Sequence, residues 1–171
     1  MPVGEYKGSA RSESMYDSDA KLQGYGPSMA HLELVRVDCG PSYCPVEARL
    51  ELAMEYTIDR PLRDASWEIK FLVDSVNERH VVWLGNTAPR DYARGPCSMH
   101  FEVQRVSVEG IKPCTLANTG LLVAALKCAG GGGGRLGSTG QQEEVAAVNL
   151  VVQVADDGHG RFTRCIYSPL E

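Results

Sequence analysis

Between Glu47 and Ile58 the chain alternates with a period of two: Leu50, Leu52, Met54, Tyr56 and Ile58 fall between Arg49, Glu51, Ala53, Glu55 and Thr57. Successive side chains of a β-strand point to opposite faces, so this pattern buries one face and wets the other only if the segment is extended. Trp67, Ile69, Phe71 and Val73 repeat it against Ser66, Glu68 and Lys70. Met99, Phe101 and Val103 repeat it again against His100, Glu102 and Gln104. Further apolar runs lie at 32–37, 81–84, 120–126, 145–154 and 162–167. Turn-forming clusters separate the runs, among them Cys39-Gly40-Pro41, Asp59-Arg60-Pro61, Gly85-Asn86, Arg94-Gly95-Pro96, Lys112-Pro113 and Asp157-Gly158. No window shows a capped 3.6-residue period. About eight short strands at this spacing predict an all-β fold, an immunoglobulin-like antiparallel β-sandwich.

The sandwich is expected over residues 31–171. Residues 1–30, rich in Ser, Gly, Tyr and charge with no apolar period, predict a flexible N-terminal tail. The run Gly130 to Gly134, followed by Arg135-Leu136-Gly137-Ser138-Thr139-Gly140, predicts a Gly-rich insertion at 129–142 between two strands. With 17 Lys and Arg against 22 Asp and Glu, the net charge is −5, and no Lys/Arg cluster stands apart to meet a phosphate backbone. Direct nucleic-acid binding is therefore not expected. No run approaches the ~18 apolar residues of a membrane span, and no apolar leader opens the chain, which predicts an intracellular protein. Cys39, Cys44, Cys97, Cys114, Cys128 and Cys165 show no C-x2-C spacing and read as reduced, partly buried thiols.

Signatures of enzymatic chemistry are missing from the sequence. The poly-Gly run has Arg135-Leu136 where a phosphate-binding loop needs Lys followed by Ser or Thr. His100-Phe101-Glu102 with Pro113-Cys114 matches half of a zinc-deaminase signature, but the second cysteine, three positions on, is replaced by Ala117. No G-x-S-x-G elbow occurs. No catalytic residue, metal ligand or cofactor is assigned, and a non-enzymatic protein-binding module is expected.

The order of segments resembles the anti-silencing-function family of histone chaperones. The similarity runs through Leu34-Val35-Arg36-Val37-Asp38, then Cys44-Pro45-Val46 and the strand Ala48–Tyr56. It continues in Leu62-Arg63-Asp64-Ala65-Ser66-Trp67-Glu68-Ile69-Lys70-Phe71, in Gly110-Ile111-Lys112-Pro113, and in Arg161-Phe162-Thr163-Arg164-Cys165-Ile166-Tyr167. It covers roughly residues 32–168. The resemblance implies a sandwich that binds an α-helix of histones H3–H4 on one sheet. It also implies three contact points: an apolar patch around a strand valine, an arginine on the last strand, and an acidic residue before a mid-chain strand. The arginine is Arg164 and its aromatic neighbour Tyr167. The valine is Val123 when counted from Gly120, or Leu150 when counted back from the final hairpin. His80 stands at the acidic position, and Ser168-Pro169 replaces a Tyr-Val pair. Read from periodicity alone, Arg164 also fits an outward polar residue, Val123 and Leu150 fit core positions, and Tyr167 fits a buried aromatic. Two partner classes stay open: H3–H4 in the nucleus, or subunits of a large assembly such as a cilium or cytoskeletal complex, where the chain would act as a structural adaptor.

Overall fold

The computed structural model describes residues 29–74, 76–129 and 142–170. They form an all-β sandwich. In chain order the strands are β1 (Leu32–Gly40), β2 (Tyr43–Pro45), β3 (Leu50–Ile58), β4 (Leu62–Val73), β5 (His80–Asn86), β6 (Arg90–Tyr92), β7 (Gly95–Val103), β8 (Thr119–Ala129), β9 (Gln142–Asp156) and β10 (Phe162–Tyr167). A single helical turn, α1 (Pro113–Leu116), lies before β8, with proline at its first turn where a missing N–H is harmless. The small sheet has the order β1-β3-β7. The large sheet has the order β2-β10-β9-β8-β4-β5, with β6 also on β4. Every pairing is antiparallel.

Eight of these strands coincide with the expected runs, and β2 and β6 are additions. Each of the two has three residues, too few for alternation to show. At the N-terminal boundary, Ala30 is buried and donates its N–H to the Val145 carbonyl at 2.8 Å, so the last residues assigned to the tail belong to the sandwich. The rest of the expected tail, residues 1–28, and most of the Gly-rich insertion, residues 130–141, lie outside the described residues. The strands that flank the insertion stay paired as far as Ala129 and Gln142.

The core forms where the inner faces meet. β3 supplies Leu50, Leu52, Met54, Tyr56 and Ile58; β4 supplies Trp67, Ile69, Phe71 and Val73; β8 and β9 supply Leu122, Ala124, Leu126, Leu150, Val152 and Val154. Trp67 and Tyr56 anchor it. Their rings meet edge to face with centroids 5.3 Å apart, and the indole N–H donates to the tyrosine hydroxyl at 3.1 Å. Two large aromatics are thus buried with their polar atoms paired to each other.

Candidate functional site

The outer faces of the two sheets differ sharply. On the small sheet, Glu51 and Glu102 sit directly opposite each other across β3 and β7. Arg49 bridges them, its Nε donating to Glu102 and its Nη2 to Glu51, each at 2.7 Å. His100 Nε2 lies 2.8 Å from the second oxygen of Glu51, and Arg36 pairs with Asp38. The guanidinium of Arg49 holds the Glu102 carboxyl below its usual range. His100 and Glu102 thus face water, as their alternation predicts. This is a solvated charged face with an excess of carboxylates.

The outer face of the large sheet carries an apolar row. The strand register aligns Tyr167 with Val151, Val151 with Leu121, Leu121 with Leu72, and Leu72 with Val81. One continuous row of five apolar side chains therefore crosses β10, β9, β8, β4 and β5. The adjacent row runs Asn149–Val123–Lys70–Trp83. Four apolar members of the two rows are well exposed: Trp83 at 62%, Val81 at 58%, Tyr167 at 44% and Val151 at 42%. Tyr43, opposite Cys165 at the β2 edge, is more exposed still. Solvent-facing apolar side chains scattered singly are ordinary; here they form a contiguous band with an aromatic at the end of each row.

The charges on this face close on one another at one end. Lys127 Nζ lies 2.8 Å from Glu68 Oε1, and Lys70 Nζ lies 3.7 Å from the same oxygen. The hydrogen bond from Lys127 is the main cause that holds the half-buried Glu68 carboxyl below its ordinary range; burial opposes it. The triad of two lysines and one glutamate sums to one net positive charge, and Lys70 itself lies within the second row.

The structure separates the sequence-derived candidates. Val123 lies on the outer face, hemmed in by Lys70 and Asn149, and Tyr167 ends the apolar row. Leu150, the other candidate, pairs with Leu122, points inward, and is 1% exposed. His80 begins β5, stands 3.7 Å from Glu78 and, with Val81 at the end of the row, borders a cleft with Ser107–Ile111. Arg164 is neither outward nor at the surface. It shares the inner face with Ile166, is 2% exposed, and donates to the carbonyls of Val46 and Ala48 at 2.9 Å and of Arg49 at 2.6 Å. Desolvation lowers its pKa, opposed by the nearby Cys44 and Cys39 thiols, and burial pushes the Cys39 thiol up to about 12. Arg164 is therefore a structural cation of the core, tying the β2–β3 connection to the last strand.

Sequence reading missed Leu72, Val81, Trp83, Leu121 and Val151. The signal was present: residues 120–126 and 81–84 are continuous apolar runs rather than alternating ones, which is what a strand covered on both faces requires. Among the described residues no helix is long and apolar enough to cross a membrane, and no cluster of three metal-ligating side chains occurs. Neither the protein-family models nor the curated proteins give a match to this chain.

Proposed function

We propose that the chain is a non-enzymatic binding module whose outer large-sheet face takes up an apolar side of another polypeptide. The observation that carries this reading is the unbroken row Tyr167–Val151–Leu121–Leu72–Val81. Five strands span four gaps, or about 19 Å, the length of roughly 13 residues of α-helix. An amphipathic helix laid across the strands would match the row with one apolar side chain per turn. Binding of this kind draws its strength from aromatic anchors in a desolvated centre, and Trp83 and Tyr167 stand ready in that role. The overall charge of −5 favours encounter with a basic partner.

Histones H3–H4, the partner that the family resemblance names, meet these requirements. Val123 and Tyr167, two positions carried by the resemblance, share this face. The adaptor reading has its own support: Arg164, a contact residue under the resemblance, is spent inside the core. Titration calorimetry with purified H3–H4 separates the two. Under the chaperone reading the wild-type chain binds, Val151→Arg weakens binding at least about tenfold, a loss of about 1.4 kcal/mol, and Glu55→Lys on the small sheet leaves it unchanged. Absence of wild-type binding removes histones as the partner and leaves the adaptor reading.

A further inference from the structure

One cation interrupts the two rows on the large sheet. Lys70 sits in the second row between Val123 on β8 and Trp83 on β5, with Leu72 and Glu68 on the same face of β4 to either side of it. Its side chain is 25% exposed, and its ammonium leans towards Glu68, with Nζ 3.7 Å from Oε1. Lys127 holds that same oxygen more closely, at 2.8 Å. Two ammoniums therefore share one carboxylate oxygen, and Lys70 forms no other ion pair among the described residues. The other carboxylate at this end of the face, Glu144 on β9, lies opposite Lys127 and two strands from Lys70.

In water such a surplus charge is well solvated. Under a docked partner it is not. A helix seated on Tyr167–Val151–Leu121–Leu72–Val81 is about 10–12 Å wide with its side chains, and Lys70 stands only about 7 Å from Leu72 along β4. The flank of that helix therefore covers Lys70 and strips water from the ammonium. A cation desolvated without a matching acceptor is strongly unfavourable, and Glu68 is already shared. The missing acceptor has to come from the partner.

We propose that Lys70 sets the specificity of this face by pairing with a carboxylate that the partner helix carries on one flank of its apolar stripe. The inference rests on the docking reading above and names the helices that the face admits. A helix with Lys or Arg at that flank position brings like charges together in a contact poor in water and is selected against. The requirement is local: the net charge of −5 acts at long range on a basic partner, whereas Lys70 reads one position of the bound helix.

Selection from a displayed library of helical peptides tests it. Each peptide has Leu once per turn and random residues elsewhere. The library is panned against the purified full chain and against Lys70→Glu, Lys70→Met and Val123→Arg/Val151→Arg, each first shown to keep the wild-type circular-dichroism spectrum. Peptides recovered on the wild-type chain should carry Asp or Glu at one flank position and should not bind the doubly substituted chain. Replacing that acid by Lys should weaken binding to the wild-type chain at least about tenfold, and Lys70→Glu should reverse the preference. With Lys70→Met the acidic and basic peptides should bind within about threefold of each other. Peptides that depend on Val123 and Val151 but show no preference for an acid overturn the inference and leave the docking reading standing. A library that yields no peptide dependent on Val123 and Val151 overturns the docking reading itself, and the inference falls with it.

Discussion

Arg164→Ala is expected to cost the fold about 3–5 kcal/mol and to lower the melting temperature by on the order of 10 °C, although the residue is almost wholly shielded from solvent. A cation without a carboxylate is expensive to bury, and three backbone carbonyls take the place of the counterion. Those carbonyls, on Val46, Ala48 and Arg49, lie in the connection between β2 and β3, where no sheet ladder satisfies them. Truncation leaves one buried acceptor, at Val46, and two part-buried ones without donors, the costly half of the hydrogen-bond balance. Arg164→Lys should fall between, because one ammonium on a flexible stem cannot reproduce the planar fork. Arg164→Glu adds a buried anion beside those same acceptors and should prevent folding, so it cannot serve to separate binding from stability. Thermal and urea unfolding check the series. An Arg164→Ala chain as stable as wild type would show that the guanidinium contributes nothing net.

Gly120→Ala should be of comparable severity, for a geometric reason. A Cβ at this position of β8 would stand 2.2 Å from the Leu72 carbonyl oxygen and 3.0 Å from Phe71 Cε2. The oxygen belongs to the β4 backbone, which the β4–β8 ladder pins at Leu72 and Leu121, so relief requires two central strands to part. Elsewhere a Gly→Ala change stabilises by about 0.4–1 kcal/mol through the unfolded chain. Here overpacking against a fixed backbone atom opposes that gain, and about 3 kcal/mol or more of net destabilisation is expected. Urea unfolding gives the value directly, and a neutral or stabilising Gly120→Ala would contradict the close approach of β4 and β8.

Most of the fold could be read from alternation because one-sided burial imposes it: β3 and β7 show strict alternation, and each has a wet outer face. The strands of the large sheet were harder to orient. In β8, Leu121, Leu122, Val123, Ala124, Ala125 and Leu126 follow one another without a polar marker, so periodicity fits Val123 to the core as readily as Leu122, and the counts that gave Val123 or Leu150 run from opposite sides of the Gly-rich insertion. Only the cross-strand register decides it, since Leu122 opposes Leu150 while Val123 opposes Asn149. Arg164 misled for the converse reason. A charged residue in a strand marks the solvent face almost everywhere, and no local pattern reveals that three carbonyls, 115–118 residues away in sequence, converge on its guanidinium. The apolar row is a property of five strands at once; it comes into view only when their registers are combined.

The central claim is that the apolar row on the outer face of the large sheet, and not the charged face of the small one, meets the partner. Affinity capture from native extract, quantified by mass spectrometry, compares the two faces directly in three chains: wild type, Val123→Arg/Val151→Arg, and Glu55→Lys. Proteins retained by the wild-type chain should be lost together from the doubly substituted chain and kept by Glu55→Lys. Retention by Val123→Arg/Val151→Arg with loss from Glu55→Lys would place the interface on the opposite sheet and contradict the account.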